Sequence, residues 1–464
     1  MKLYTTSGRA LHLGPLLFFI LIFRVHAAKP PNILLLVAGD LGTDLRCYGN
    51  TGLLTSNIDR LAEEGVLCRN AFVTSPQNTP SLISILTGKY PHTTGTEDSC
   101  SPLTAGHKTL VHFLKEAGYL TGYTGDPTLF DSLARPFEWM SPDYRDFHKF
   151  LGAVKKKPFF FLADLQEPAR PFRQGTNNET LDESISIMKK HLADDLDTRD
   201  DIDMYYKAIS HLDSVIGLYT AALKLLKKER NTLVIFISKN GAPFPREKGT
   251  LYDTGIRVPL IFSGYAVTAH GIDYDGQISS IDLFTTIANI CEIAYPSDLT
   301  GLDFSQMLQG NIVLGHDYIF SERNWDGMDE HIRCIRTEDY KLIVNAYIEK
   351  SLGLPVDILH SPSWTNLLNN REGDRLTAEQ SLVLSRPRPQ IELYDLQHDP
   401  GEYANLAGNL RYSQIVQDLI AELNEWMEIS QDFPSNRRTR ADQADRLSGE
   451  YLLKEIPPLE NITD

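Results

Sequence analysis

Short apolar runs alternate with longer stretches of helical periodicity over the first two thirds of the chain. The runs are residues 33–37, 120–123, 159–162, 233–237 and 260–262. Runs of this length are typical of buried strands, and stretches such as 204–227 show the spacing of helices. The alternation predicts an α/β domain with a large, mostly parallel sheet flanked by helices.

The pattern changes after residue 315. Apolar strands now follow one another closely, at residues 332–335, 341–345 and 392–394, which predicts a small antiparallel sheet. A helix follows, because apolar residues recur at helical spacing at Ile415, Val416, Leu419, Ile420, Leu423, Trp426 and Met427. We therefore expect an α/β domain over 28–315, a C-terminal α+β subdomain over 316–433, and a polar tail over 434–464.

The first 27 residues have the pattern of a secretory signal peptide. Lys2 and Arg9 precede an apolar run over 11–23, and small residues follow at Ala27 and Ala28. A bilayer span needs roughly 20 apolar residues, and this shorter run is interrupted by Pro15. We expect cleavage near Ala27, no membrane span in the mature chain, and a route through the secretory pathway to the extracellular space or the lysosome.

Composition narrows the possible partners. The formal charge of -16 disfavours a general polyanion binder, because nucleic acid and heparan chains are repelled at long range unless a local basic cluster overrides that repulsion. The five cysteines are odd in number and contain no C-x-x-C pair, so they predict neither a zinc site nor a disulfide framework. In a secreted chain the sequons at Asn178 and Asn461 are usable glycosylation sites.

Polar residues follow four of the predicted strands, where ligands bind in open α/β sheets. They are Gly39-Asp40, Gly125-Asp126, Gln166-Glu167-Pro168 and Lys239-Asn240-Gly241. Residues 78–81 open a predicted helix that runs to Leu86, with Thr79 as its expected N-cap and Pro80 at the first helical position. A helix N-terminus favours anions, so the residues alone predict an anion-binding α/β protein without naming a reaction.

Several segments resemble the sulfatase family. Residues 37–42, 44–50 and 57–62 resemble its first signature, and Pro80-Ser81 with 86–92 resembles its second. Segments 240–245, 354–369 and 391–400 are similar to the heparan N-sulfatases within that family. The resemblance covers nearly the whole mature chain, and it implies an alkaline-phosphatase-type α/β domain followed by a small C-terminal sheet domain.

Members of this family convert a cysteine to formylglycine, whose hydrate attacks sulfur beside a calcium ion held by three aspartates and an asparagine. Here the cysteine position is Asn78, and the arginine of the same motif is Leu82. The first metal-binding aspartate is Gly39, although Asp40 is kept; the later aspartate is Lys239, although Asn240 is kept.

The remaining motif positions also depart from the family. A lysine and a histidine fall on Asp126 and Thr128, and two histidines fall on Gln166 and Ala169. Only Lys248, which by the resemblance contacts the substrate sulfate, keeps its character. The charged residues left at these positions, Asp40, Asp126, Lys239 and Lys248, sum to zero, where the family pattern is net positive.

These departures predict a site without calcium or another cofactor. We expect the Lys239 ammonium to pair with Asp40 in place of the ion, because an ammonium among metal ligands repels a divalent cation. The protein is then an inactive pseudo-sulfatase that binds a sulfated glycan, another sulfatase subunit, or a second copy of itself as a homodimer.

The alternative is an active sulfohydrolase or phosphodiesterase that uses non-standard residues, with Thr79 as the weak candidate nucleophile and calcium retained. A third hypothesis is a purely structural role, which predicts no glycan binding.

Overall fold

The computed structural model describes residues 29–98, 101, 103–104, 106–126, 136–172, 188–349 and 351–434. The predicted signal peptide, the polar tail beyond residue 434, Thr128, and both sequon asparagines, Asn178 and Asn461, lie outside the described residues. Within the described part of the chain, no helix has the length and hydropathy that a bilayer span requires.

Eight of the described strands form one large mixed sheet. In chain order they are β1 (Asn32–Asp40), β2 (Gly65–Phe72), β3 (Leu120–Thr124), β4 (Trp139–Ser141), β5 (Phe159–Asp164), β6 (Thr232–Asn240), β7 (Arg257–Gly264) and β8 (Ile272–Ser279). Their spatial order is β4-β3-β5-β1-β6-β7-β2-β8. The strands from β4 to β6 are parallel, and β7 pairs antiparallel with both β6 and β2.

Helices cover both faces of this sheet. The described α-helices in this part are α1 (Ser56–Glu63), α2 (Asn78–Thr87), α3 (Pro91–Thr94), α4 (Leu110–Glu116), α5 (Phe147–Ala153), α6 (Leu196–Leu225), α7 (Asp253–Ile256) and α8 (Asp282–Ile290). Alternate residues of β1 enter two separate cores: Val37 packs in one, and Ala38 packs in the other. Period-2 alternation explains why a strand buried on both faces is apolar throughout.

The C-terminal region forms a four-stranded antiparallel sheet in the order β12-β11-β10-β9. Its strands are β9 (Ile319–Trp325), β10 (Asp329–Arg336), β11 (Tyr340–Asn345) and β12 (Ile391–Asp395). The described helices here are α9 (Val356–Leu359), α10 (Pro362–Glu372), α11 (Ala378–Val383) and α12 (Ser413–Ser430). Leu419 and Leu423 of α12 pack on the sheet with the other apolar residues of its stripe.

The predicted fold class is confirmed: a large, mostly parallel sheet with flanking helices precedes a small antiparallel sheet. All five strands predicted in the first part form, as do the three in the second. The pattern missed β2, β4, β8 and β9. The helix expected over 204–227 begins eight residues earlier, where Asp195 accepts a hydrogen bond from Thr198 N as its N-cap.

Candidate functional site

The candidate site lies at the carboxyl ends of the parallel strands. Asp40 ends β1 and Asn240 ends β6, and the two residues are direct partners in the strand register. Both are fully buried, and Asn240 Nδ2 donates to Asp40 Oδ1 at 3.1 Å. The sheet thus brings together two residues that the sequence placed at strand exits.

Lys248 reaches this pair from the loop after β6. Its ammonium lies 2.8 Å from Asp40 Oδ2 and 2.8 Å from Asp357 Oδ2, where Asp357 belongs to α9. Burial lowers the pKa of Lys248, but the carboxylates of Asp40 and Asp357 raise it more, so the net shift is upward. The ammonium is therefore charged at physiological pH and bridges two carboxylates.

The pairing expected between Lys239 and Asp40 is wrong. The Lys239 ammonium instead donates to Asp164 Oδ1 at 2.7 Å, and the hydroxyl of Tyr123 donates to Asp164 Oδ2 at 3.1 Å. Lys239 and Asp164 are 3% and 4% exposed, so the pair is shielded from solvent.

Strand alternation explains the difference. Lys239 has the same side-chain direction as Ile237, two residues before it, and so faces the core that contains Val37. Asn240 and Asp40 face the opposite side of the sheet. On the Lys239 side, β1 lies between β5 and β6 and contributes Gly39, which has no side chain.

Helix α2 begins beside this edge, but two residues earlier than expected. Gln77 is its N-cap, with no side-chain capping hydrogen bond, so the expected capping role of Thr79 is wrong. Asn78 and Thr79 in the first turn are partly exposed, whereas Leu82 is buried in the core. Leu82 is therefore a packing residue, and the first turn of α2 is the part that can meet a ligand.

Two other predicted positions lie at the same sheet edge with their side chains in solvent. Asp126 follows β3 and Gln166 follows β5, and both residues are exposed. Asp126 therefore does not belong to the buried charge cluster around Lys248.

Three site residues were missed by sequence reasoning. Asp164 ends β5, so its position as the last residue of a strand at this edge was the available signal. Asp357 and Asp326 come from the C-terminal region, and nothing in the local sequence marks them as partners of Lys248.

Asp326 is a buried carboxyl beside this cluster. Its Oδ2 lies 3.9 Å from Arg323 Nη2 and has no hydrogen-bond partner among the described residues. Burial raises the pKa of Asp326 to about 6, and the cations of Arg323 and Lys248 only partly offset that effect. This carboxyl changes charge within the physiological pH range.

Comparison with known proteins identifies the family. The family model described as Sulfatase matches residues 31–155 and 143–293, which is more than half of the chain. The chain belongs to the sulfatase family.

Among curated sulfatase relatives, human N-sulphoglucosamine sulphohydrolase is 26% identical, and the match covers 88% of this chain and 92% of the relative. An ulvan-active sulfatase of Formosa agariphila is also 26% identical, covering 86% of this chain and 74% of that protein. The solved structure of a 2-O GAG sulfatase superposes with a TM-score of 0.67 at 21% identity, covering 94% of this chain and all of that one. These relatives support the resemblance seen in the sequence motifs.

The calcium site that the sulfatase resemblance implies does not fit these residues. Both oxygens of Asp40 are already engaged, one by the Asn240 amide and the other by the Lys248 ammonium. A side chain at Gly39 would overlap the carbonyl oxygen of Gln166, so the missing aspartate has no room there. Calcium needs about six to eight oxygen ligands, several of them anionic, and an ammonium in the shell repels it.

One group of described residues elsewhere has metal-ligand spacing, namely His92, Glu322 and Asp432. Its carboxylates already have partners: Glu322 accepts from His92, and Asp432 accepts from Arg333 and His331. We interpret it as a buried ion-pair network that joins the end of α12 to the small sheet and to α3.

Proposed function

We propose that this protein is a non-catalytic member of the sulfatase family that acts by binding. The observation that carries the proposal is the bridge from Asp40 through Lys248 to Asp357. The Lys248 ammonium engages Asp40, the one carboxylate that the family's metal-binding pattern keeps in this chain, so that Asp40 is not free to hold a divalent cation. The other lysine at this sheet edge, Lys239, is already paired with Asp164.

The residues at the start of α2 support the same proposal. Asn78 is an amide, and it cannot form the hydrated aldehyde that attacks sulfur in the family mechanism. Loss of an essential nucleophile alone lowers turnover by about 10⁶-fold. Thr79 carries a hydroxyl, but no base or metal-ligand set among the described residues is in hydrogen-bond contact with it to activate it.

The binding role follows from the family and the leader sequence. One curated relative is named for N-sulphoglucosamine, and the proposed secretion would bring this chain into contact with glycans. We propose a location in the secretory pathway, ending outside the cell or in the lysosome. The proposed partners are a glycan, another sulfatase-family chain, or a second copy of this chain.

A turnover assay tests the proposal directly. Purified protein is incubated with an aryl sulfate and with N-sulfoglucosamine, with and without calcium, beside human N-sulphoglucosamine sulphohydrolase as the active control. We expect no sulfate release above the buffer blank, and mass spectrometry of the peptide that contains Asn78 should show an unmodified asparagine. Calcium-dependent turnover that Thr79→Ala removes would instead establish the active alternative.

A heparin column separates binding from a purely structural role. Retention that a sulfated-glycan competitor reverses supports the glycan as partner. Passage without retention removes the sulfated glycan from the proposed partners and leaves the protein partners to be tested by pull-down with a tagged second copy.

A further inference from the structure

A small cavity is separate from the Asp40–Lys248 site. It is bounded by the loop after β6, by the face of the small sheet that packs toward the large sheet, and by the end of α11. Its volume is about 70 Å³, and neither Asp40 nor Lys248 is among its lining residues. Leu382 and Pro389 of the lining are exposed, so the cavity opens to solvent on their side.

Most of the lining is apolar. Ile332 and Ile343 of the small sheet form a buried wall together with Leu251, Leu354 and Val383. Cavities that bind small molecules typically combine such a wall with a few fixed polar groups. A water-sized sphere needs about 10–15 Å³ of such volume, so the cavity admits about five to seven non-hydrogen atoms.

Arg246 brings a cation without a counterion to this cavity. Its guanidinium is 2% exposed, donates to the backbone carbonyls of Gly401 and Glu402, and forms no ion pair with a described carboxylate. Its Nε has no hydrogen-bond partner among the described residues. The rings of Tyr252 and Tyr403 hold the guanidinium, with centroids 3.7 and 4.9 Å away. A buried charge without a counterion is costly, so an anion that reaches Nε is favoured.

The backbone at Arg246 is strained. Its φ of +65° lies in the left-handed region, which residues with a side chain rarely adopt. The hydroxyls of Thr250 and Thr254 donate to the carbonyl oxygen of Arg246 and hold this conformation. Strain of this kind is concentrated at functional sites, which agrees with a ligand-binding role for the side chain.

The other charged groups of the lining leave the preference for an anion unchanged. Glu392 accepts from two tyrosine hydroxyls and from the amide of Asn345, so its oxygens are occupied. Arg388 pairs with Glu330, which lies outside the lining, so the unpaired Oε1 of Glu330 offers the cavity no acceptor. Two arginines and one glutamate give the lining a net charge of +1.

We propose that this cavity binds a small carboxylate with a short apolar chain, of about the size of butyrate. The carboxylate accepts from Arg246 Nε and supplies the counterion, while the chain lies against the apolar wall. Inorganic sulfate fits less well, because the wall offers its other oxygens no donors. A neutral or cationic ligand leaves the Arg246 charge uncompensated. The inference goes beyond the proposed function and does not depend on it, because the cavity lies outside the Asp40–Lys248 site.

Saturation-transfer NMR titration of the whole purified protein at pH 7 tests the inference. The probes are butyrate, 1-butanol and butylammonium at matched ionic strength, with inorganic sulfate as competitor. We expect butyrate to bind saturably and at least about tenfold more tightly than 1-butanol or butylammonium, since a hydrogen bond to a charged group is worth about a tenfold step or more. Sulfate at an equal concentration should not displace butyrate.

Two variants locate the binding. Arg246→Gln removes the charge and should weaken butyrate binding by at least about tenfold. Leu382→Asp places a negative charge at the open side of the cavity, where Leu382 is 37% exposed, and should weaken binding by about threefold or more without disturbing the core. Leu410→Asp is the matched control, because Leu410 is 88% exposed and outside the lining, and it should leave the affinity unchanged. Circular dichroism checks that each variant is folded.

Four ligand outcomes overturn the inference. They are no saturable butyrate binding, equal or tighter binding of 1-butanol, equal or tighter binding of butylammonium, and displacement of butyrate by equimolar sulfate. Unchanged butyrate affinity in Leu382→Asp, or in a folded Arg246→Gln, assigns the binding to another part of the protein and overturns the inference as well.

Discussion

The Lys239–Asp164 pair gives the sharpest stability prediction. The perturbation is Asp164→Asn, which keeps the shape of the side chain and removes its charge. Lys239 Nζ lies 2.7 Å from Asp164 Oδ1, and both side chains are almost fully buried, so the variant leaves an ammonium with a neutral partner away from water. Breaking a buried pair in this way costs about 3–5 kcal/mol.

A double variant separates charge from packing. Lys239→Met in the Asp164→Asn background removes the orphaned ammonium, and its apolar chain faces the core that holds Val37. Replacement of a buried ion pair by well-packed neutral groups is often nearly neutral, so we expect the double variant to return to within about 1–2 kcal/mol of the parent.

The assay is urea unfolding followed by tryptophan fluorescence and far-UV circular dichroism at pH 7.4. Asp273→Asn is the matched control, because its exposed pair with Arg69 should contribute about 1 kcal/mol or less. The reasoning would be refuted if Asp164→Asn lowered the free energy of unfolding by less than about 1 kcal/mol, or if the double variant were less stable than the single one.

Three further predictions follow from other contacts. Gly39→Asp should lower the Tm and create no calcium-dependent thermal shift, because its Cβ overlaps the Gln166 carbonyl. Asp326→Asn should raise the free energy of unfolding by up to about 2–3 kcal/mol above pH 6 and by little at pH 4. The reason is that the raised pKa of Asp326 in the folded protein makes its ionised form destabilising, and urea unfolding at both pH values checks this. Asp432→Asn should lower the free energy of unfolding, measured in urea, by about 3–5 kcal/mol and should speed tryptic cleavage near α12, because buried Arg333 loses its bidentate partner.

Strand positions could be predicted because buried parallel strands are apolar throughout. The run at 33–37 and the run at 233–237 located β1 and β6, and so placed Asp40 and Asn240 at one edge. The short strand β4 and the mixed-polarity strands β8 and β9 lack such a run; β8, for example, has exposed residues through most of its first half. Their pairing depends on tertiary contacts.

The partners of the two lysines could be predicted only in part. Side-chain alternation along β6 puts Lys239 and Asn240 on opposite sides of the sheet, but only the register of β1 with β6 shows that Asp40 lies on the Asn240 side. The contact between Lys248 and Asp357 could not be derived, because it depends on how α9 packs against the loop after β6. The same is true of Asp326, whose neighbours come from β9 and the Lys248 loop.

The central claim is that Asp40, whose two carboxylate oxygens are engaged by Asn240 and Lys248, does not serve as a ligand to a divalent cation. Calorimetric titration of the purified protein with calcium, after treatment with a chelator, tests it most directly, with Asp40→Asn as the companion variant. The account predicts no saturable heat for either protein. Saturable calcium binding by the parent that disappears in Asp40→Asn would contradict it.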